Sequence, residues 1–200
     1  MAGIPDSTAA SSRPGFFRRL WRSLTTPSAS WSVLALVVLG LVIGAGAVIG
    51  TQVMVKVTGT NEFCGGACHS MQWVAQEYRQ SGHALNRTGI SAGCHDCHIP
   101  HNYPELLWYK AKAGIKDVIG EMRGVISTKE KFEKERSRMA KHVWAEYKET
   151  NSANCRTCHA FTKEVVAKQK ETAQPMHQTV LAGQATCIDC HKGLAHKSPE

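Results

Sequence analysis

The chain has 200 residues, 42% of them hydrophobic, and eight cysteines. Once a membrane segment is set aside, about 145 residues remain, which is room for one compact domain and excludes a multidomain enzyme. The formal net charge of +8 suits an acidic partner or an anionic membrane surface, but no nucleic-acid partner is read from it.

Residues 1–30 are rich in Ser, Ala, Pro and Gly. Their single acid, Asp6, is outnumbered by Arg13, Arg18, Arg19 and Arg22, which makes a short basic tail. No charge occurs from Ser23 to Val55. Within that run, residues 31–55 exceed the about 20 residues that cross a hydrocarbon core at about 1.5 Å each. The run is also longer than the about 7–15 residues of a signal-peptide core, which favours a retained transmembrane anchor over a cleaved leader. The basic flank sets the N-terminus in the cytoplasm and residues 56–200 outside. Gly40, Gly44, Gly46 and Gly50 thin one side of the anchor. That pattern permits a homodimer, although glycine is common in membrane helices anyway.

The stretch that follows, Gly59 to Met71, reads Gly-Thr-Asn-Glu-Phe-Cys-Gly-Gly-Ala-Cys-His-Ser-Met. Two thiols followed by His are what covalent c-type haem attachment needs, since each Cys adds to one vinyl group and the next residue can ligate iron. Three residues separate Cys64 from Cys68, where the usual spacing is two. Regular copies follow at Cys94–Cys97–His98, Cys155–Cys158–His159 and Cys187–Cys190–His191. All eight cysteines are thereby used, and four c-type haems are expected. Structural zinc does not require His after every second Cys, and close pairs make poor disulfide staples. The haem propionates would offset much of the positive charge. The haems would also supply much of the apolar interior, so a mainly α domain with little sheet is expected.

Further along, Met71–Gln80 reads as helical. Pro104 opens a helix from Glu105 to about Ile126, because proline suits a first turn. Trp108, Ile115, Val118 or Ile119, Met122 and Ile126 fall on its helical period. A charged helix over about 129–149 is expected to bury Phe132, Met139, Val143, Trp144 and Tyr147. The first cysteines of paired sites lie 30 residues apart in one half (64 to 94) and 32 in the other (155 to 187). That reads as a duplication of 64–101 in 155–196. The segment 104–150 has no counterpart.

Ten His are present. His69, His98, His159 and His191 trail the thiols, and His83, His101, His142, His177 and His196 are the candidates for the second axial position. His83, His177 and His196 are favoured over His101 and His142. His95 lies inside a motif, where it cannot easily bend back to its own iron. Near the first site Met71 is either core packing or a sulfur ligand.

Four stretches resemble the NapC/NirT/NrfH family of membrane-anchored tetrahaem quinol dehydrogenases, nearest to the NapC and NirT branch. They are Cys-His-Ser-Met at 68–71, Cys-His-Asp-Cys-His-Ile-Pro-His at 94–101, Lys-Ala-Gly-Ile-Lys-Asp-Val-Ile-Gly at 112–120 and Thr-Cys-Ile-Asp-Cys-His-Lys-Gly-Leu-Ala-His at 186–196. The resemblance covers the chain beyond its basic tail. It implies that Met71 rather than His69 ligates the first iron, with its far side open or approached by Asp117. It also implies that His83 reaches the fourth haem, His177 the second and His196 the third. Lys110 and Asp117 match the family's quinol site, and seven helical residues set them on nearly one face about 10 Å apart.

The function implied is an electron-transfer protein with quinol dehydrogenase activity in the bacterial inner membrane, its haem domain periplasmic. It would take menaquinol or ubiquinol and feed a periplasmic reductase, nitrate reductase first, in anaerobic respiration or denitrification. Donation to a nitrite, trimethylamine N-oxide or other oxide reductase is the alternative. A multihaem reductase working at the open first haem, or a module that only docks a reductase, is a lesser one. A pentahaem relative is not expected, because the sequence ends soon after the fourth site.

Overall fold

The computed structural model describes residues 15–25 and 31–199; most of the expected basic tail lies outside the described residues. The chain divides into two compact units between Gly50 and Thr51.

In the first unit, Phe16–Thr25 forms helix α1, where the composition gave only a tail. Phe16, Phe17, Leu20 and Trp21 share one side of it and Arg18, Arg19 and Arg22 the other, at helical spacing. The apolar run becomes α2, Val33–Val57, whose last residues, 51–57, belong to the second unit. It opens where Ser32 Oγ accepts the Ala35 N–H at 3.2 Å. None of its residues is buried, and it is the one helix among the described residues long and apolar enough to cross a membrane. A Cβ on Gly40, Gly44, Gly46 or Gly50 would meet nothing within 4 Å, so packing within the chain does not demand glycine at these positions.

The second unit is helical, with no strand among the described residues. Its longer helices are α3 (Gln72–Arg79), α5 (Tyr103–Met122), α6 (Lys129–Glu149) and α9 (Gln174–Leu181). The short ones are α4 (Cys94–His98), α7 (Ala153–Arg156), α8 (Lys163–Ala167) and α10 (Cys187–Cys190). The buried apolar side chains are few: Ala75, Tyr78, Phe132, Val166 and Ile188. A side-chain core this thin fits the expectation that groups held at the thiol pairs supply much of the apolar interior.

Helix α6 is capped by Thr128, whose hydroxyl accepts the Lys131 N–H. Phe132 on it is 2% exposed, while Met139, Val143, Trp144 and Tyr147 are half-buried. Arg136 lies 4.6 Å over the Phe132 ring and forks onto both carboxylate oxygens of Glu77 at 2.6 and 3.0 Å. This fork ties α6 to α3.

Helix α5 corrects one implication of its period. Trp108, Ile115, Val118, Ile119 and Met122 do share a side, but they are exposed, Met122 at 83%. The half-buried positions are Leu106, Leu107, Tyr109, Lys110, Ala113, Gly120 and Glu121. The inward positions mix apolar residues with Lys110 and Glu121, so the exposed apolar stripe is not what packs on the unit. The Tyr103 hydroxyl at its start accepts from Gln52 Nε2 at 2.8 Å, which fixes it to the end of α2.

Candidate functional site

The extra residue at the first thiol pair is absorbed by a single π turn, Phe63–Ala67. A π turn is wider than an α turn by about one residue, so it keeps Cys64 and Cys68 on one side as two-residue spacing does in an α-helix. It packs tightly: a Cβ on Gly65 would come 2.7 Å from Ala75 Cβ, whereas one on Gly66 would meet nothing within 4 Å. Cys68 is then extended, at φ −94 and ψ 95, and His69–Met71 forms a separate 3-10 turn.

Helix α5 runs beside this pair. Contact with the Cys94 thiol lowers the Cys64 thiol to about 7, against burial and with help from Lys110. Burial raises Cys68, and the nearby carboxylates Glu121 and Asp117 add to it. Lys110 Nζ donates to Thr58 Oγ1 at 2.9 Å, and desolvation lowers its pKa. Asp117 is exposed overall, yet desolvation of its carboxyl raises its pKa, with Lys116 opposing. The structure thus sets Lys110 and Asp117 beside the first thiols, with both shifts favouring the neutral forms.

The regular sites are short helical turns. The second and fourth carry their own caps: Asp96 Oδ2 accepts the Gly93 N–H at 2.7 Å, and Asp189 Oδ2 accepts the Thr186 N–H at 2.8 Å. The Asp inside each Cys-x-Asp-Cys-His therefore closes the turn that presents both thiols. Polar bonds join the sites in numerical order. Asn61 Oδ1, just before the first pair, accepts the Cys94 N–H at 2.8 Å. The Tyr147 hydroxyl and Asn154 Nδ2 both donate to the Cys97 carbonyl at 2.6 Å. Ser152 Oγ accepts the Ile188 N–H at 3.3 Å. Asn151 and Ser152 hold left-handed backbone, φ 50 and 51, and reverse the chain from α6 into the third site.

Three pairs of imidazoles face each other at nearly one separation. Ring centroids lie 6.3 Å apart for His83 and His159, 6.1 Å for His98 and His196, and 6.0 Å for His177 and His191. Two imidazoles on opposite sides of one metal, with nitrogens at about 2.0 Å, have centroids about 6 Å apart. Burial, with His196 adding to it, pushes His98 down to about 4, which keeps its ring neutral as a ligand must be. His196 Nδ1 is buried without a hydrogen-bond partner. The His177 Nδ1 is engaged by Gln169 Oε1, which leaves its Nε2 as the donor. The residues present fit covalently held haem.

This facing of the rings differs from the exchange implied by resemblance. His83 faces the third site rather than the fourth, His177 the fourth rather than the second, and His196 the second rather than the third. The reason lies in the tail: Glu77 Oε2 accepts the Lys197 N–H at 3.0 Å, and this draws His196 back to α3 and the second site. His101 bonds the Asp96 carbonyl at 3.0 Å, and His142 lies 3.4 Å from Glu146 one turn away. Neither faces a second imidazole. His95 sits 3.1 Å from Asp96.

At the first site no second His approaches. Met71 is 38% exposed, and His69 Nδ1 lies 2.5 Å from Glu121 Oε1. Sequence reasoning missed Glu121. Its signal was the spacing, four residues after Asp117 and eleven after Lys110 on one helix.

A sequence model described as NapC/NirT cytochrome c family, N-terminal region, matches residues 26–200. Cytochrome c-type protein TorC of Escherichia coli (strain K12) is 45% identical over 183 residues, 92% of this chain and 47% of that protein. NapC of the same strain is 41% identical over 192 residues, 94% of this chain and 93% of NapC. TorY of Haemophilus influenzae is 41% identical over 171 residues, 84% of this chain and 45% of TorY. The chain therefore spans about half the length of TorC and TorY and nearly all of NapC. No solved structure matches.

Proposed function

The chain belongs to the NapC/NirT cytochrome c family, and from that membership we propose that it is a membrane-anchored tetrahaem cytochrome that oxidises quinol and supplies a periplasmic reductase. The observation that carries the reading is the bonded order of the four thiol pairs, which begins beside Lys110 and Asp117 on α5 and ends at α10.

Cys64 and Cys68, Cys94 and Cys97, Cys155 and Cys158, and Cys187 and Cys190 would each hold one haem. His98 with His196, His159 with His83, and His191 with His177 would each hold one haem iron between them. Met71 would ligate at the first site, with His69 the alternative. Bound haem supplies a one-electron carrier at each site.

The chain's own residues handle the substrate. Lys110, held by Thr58, directs an ammonium at a quinol oxygen and orients it. Asp117 takes the hydroxyl proton, a task for which its raised pKa suits it better than an ordinary aspartate. The exposed apolar side of α5 offers a surface for lipid and for the quinol's hydrocarbon tail. Arg18, Arg19 and Arg22 before α2 favour a cytoplasmic N-terminus and a periplasmic haem domain in the inner membrane of a bacterium.

The partner proposed first is a nitrate reductase, from the likeness to the NapC and NirT branch. The relatives match at nearly equal identity, so a nitrite, N-oxide or S-oxide reductase is the second reading. Membrane vesicles given a reduced menaquinol analogue test the quinol step. Haem reduction should fall at least tenfold in Lys110→Ala and in Asp117→Asn. Unchanged reduction in both would overturn the quinol site.

A further inference from the structure

Imidazole is a stronger donor to haem iron than a thioether, so methionine ligation beside an available His needs a cause. At the third and fourth sites the His stays in the turn of its thiols. The His159 N–H bonds the Cys155 carbonyl at 3.0 Å and the His191 N–H the Cys187 carbonyl at 2.9 Å. At the second site His98 closes α4. The first site differs, because Cys68 is extended after the π turn and His69 starts a turn of its own.

That turn is gripped from α5. His69 Nδ1 lies 2.5 Å from Glu121 Oε1, and the hydroxyl of Ser70, 3% exposed, donates to Glu121 Oε2. The Ser70 bond ties the turn to α5, with His69 at ion-pair distance from the same carboxylate but not hydrogen-bonded to it. His69 Nε2 stays free, as at His177, so it is the position of the turn, not a blocked nitrogen, that would keep His69 from the iron. The Met71 N–H bonds the Cys68 carbonyl at 3.0 Å and closes the same turn. We propose that Glu121 is a positioning residue that withholds His69 from the first haem's iron and presents Met71 in its place.

The inference rests on the reading of Met71 as the first-site ligand, and the experiment separates the two. Electron paramagnetic resonance and visible spectra of the oxidised holoprotein report the ligand at the first haem. If Met71 ligates, Met71→Ala changes the first-haem signal and His69→Ala leaves it. The reverse result overturns the Met71 reading and the Glu121 inference with it. Given Met71, Glu121→Ala should convert the first-haem signal to that of low-spin imidazole-ligated iron. Adding His69→Ala to Glu121→Ala should restore the original signal. A wild-type spectrum in Glu121→Ala overturns the role of Glu121 while leaving Met71 in place. If Glu121→Ala loses haem, Glu121→Gln keeps the shape and drops the charge. A partial shift there, abolished by His69→Ala, supports the inference, and an unshifted signal overturns it.

Discussion

Lys110 and Asp117 are perturbed in opposite senses by the same cause, loss of water around the charged form. An acid with a raised pKa becomes a base only at a higher pH than usual, and an amine with a lowered pKa loses its charge at a lower one. Quinol oxidation should therefore rise with pH through the Asp117 pKa and fall again through that of Lys110, on the alkaline side. Asp117→Asn should remove the acid limb and leave the alkaline one, read as initial rates of haem reduction in vesicles. The same shift has a sign for stability. The folded state holds the Asp117 proton more tightly than the unfolded chain, so its contribution is best below the unfolded pKa and is lost as pH rises through the folded one. Asp117→Asn should accordingly leave the neutral-pH fold as stable as before, or more so, which distinguishes a rate defect from a folding defect.

At the scale of elements, the sites that were legible are those whose residues carry both chemistry and local geometry. In α4 and α10 the Cys-x-Asp-Cys-His spacing supplies the thiols and the Asp that caps their own turn. The α5 stripe was legible as a stripe, but periodicity says which residues share a side and not what that side meets. The π turn was illegible, since one added residue leaves no period to find. The turn carries a prediction that separates its two glycines. Gly65→Ala sets a methyl 2.7 Å from Ala75 Cβ, both atoms on packed backbone, whereas Gly66→Ala projects into open space. Gly65→Ala should lower the haem content measured by pyridine haemochrome from four toward three per chain, while Gly66→Ala retains four. Equal content in the two variants would mean that the π turn is not what aligns Cys64 and Cys68.

Across the whole molecule, the facing of the imidazoles was hidden because the rings opposite His159 and His98 sit in a turn and in the tail, where sequence spacing does not report distance, while His177 lies on α9. His83 and His159 are 76 positions apart and His98 and His196 are 98 apart, yet each pair meets at about 6 Å. What brings the tail to the second site is Arg136. It joins Glu77 on α3, Glu133 one turn away on α6 at 2.6 Å, and the Lys197 carbonyl at 3.2 Å. Burial would raise the Glu77 carboxyl, but the Arg136 guanidinium and the Lys197 N–H outweigh it and hold the pKa below the ordinary value. Arg136→Met would leave that carboxylate half-paired and free the residue next to His196. The expected loss is about 2 kcal/mol, below the about 3–5 kcal/mol of a fully buried pair because water reaches the edge of Glu77. A depressed carboxyl stabilises the fold above its unfolded pKa and ceases to as pH falls through the folded one. Denaturant midpoints of wild type and Arg136→Met should therefore differ most at neutral pH and converge in acid. The low-spin signal of the second haem should weaken in the variant at neutral pH as His196 detaches. A constant gap across that range would show that Arg136 acts through packing on Phe132 rather than through Glu77, and an unchanged second-haem signal would show that His196 is anchored without it.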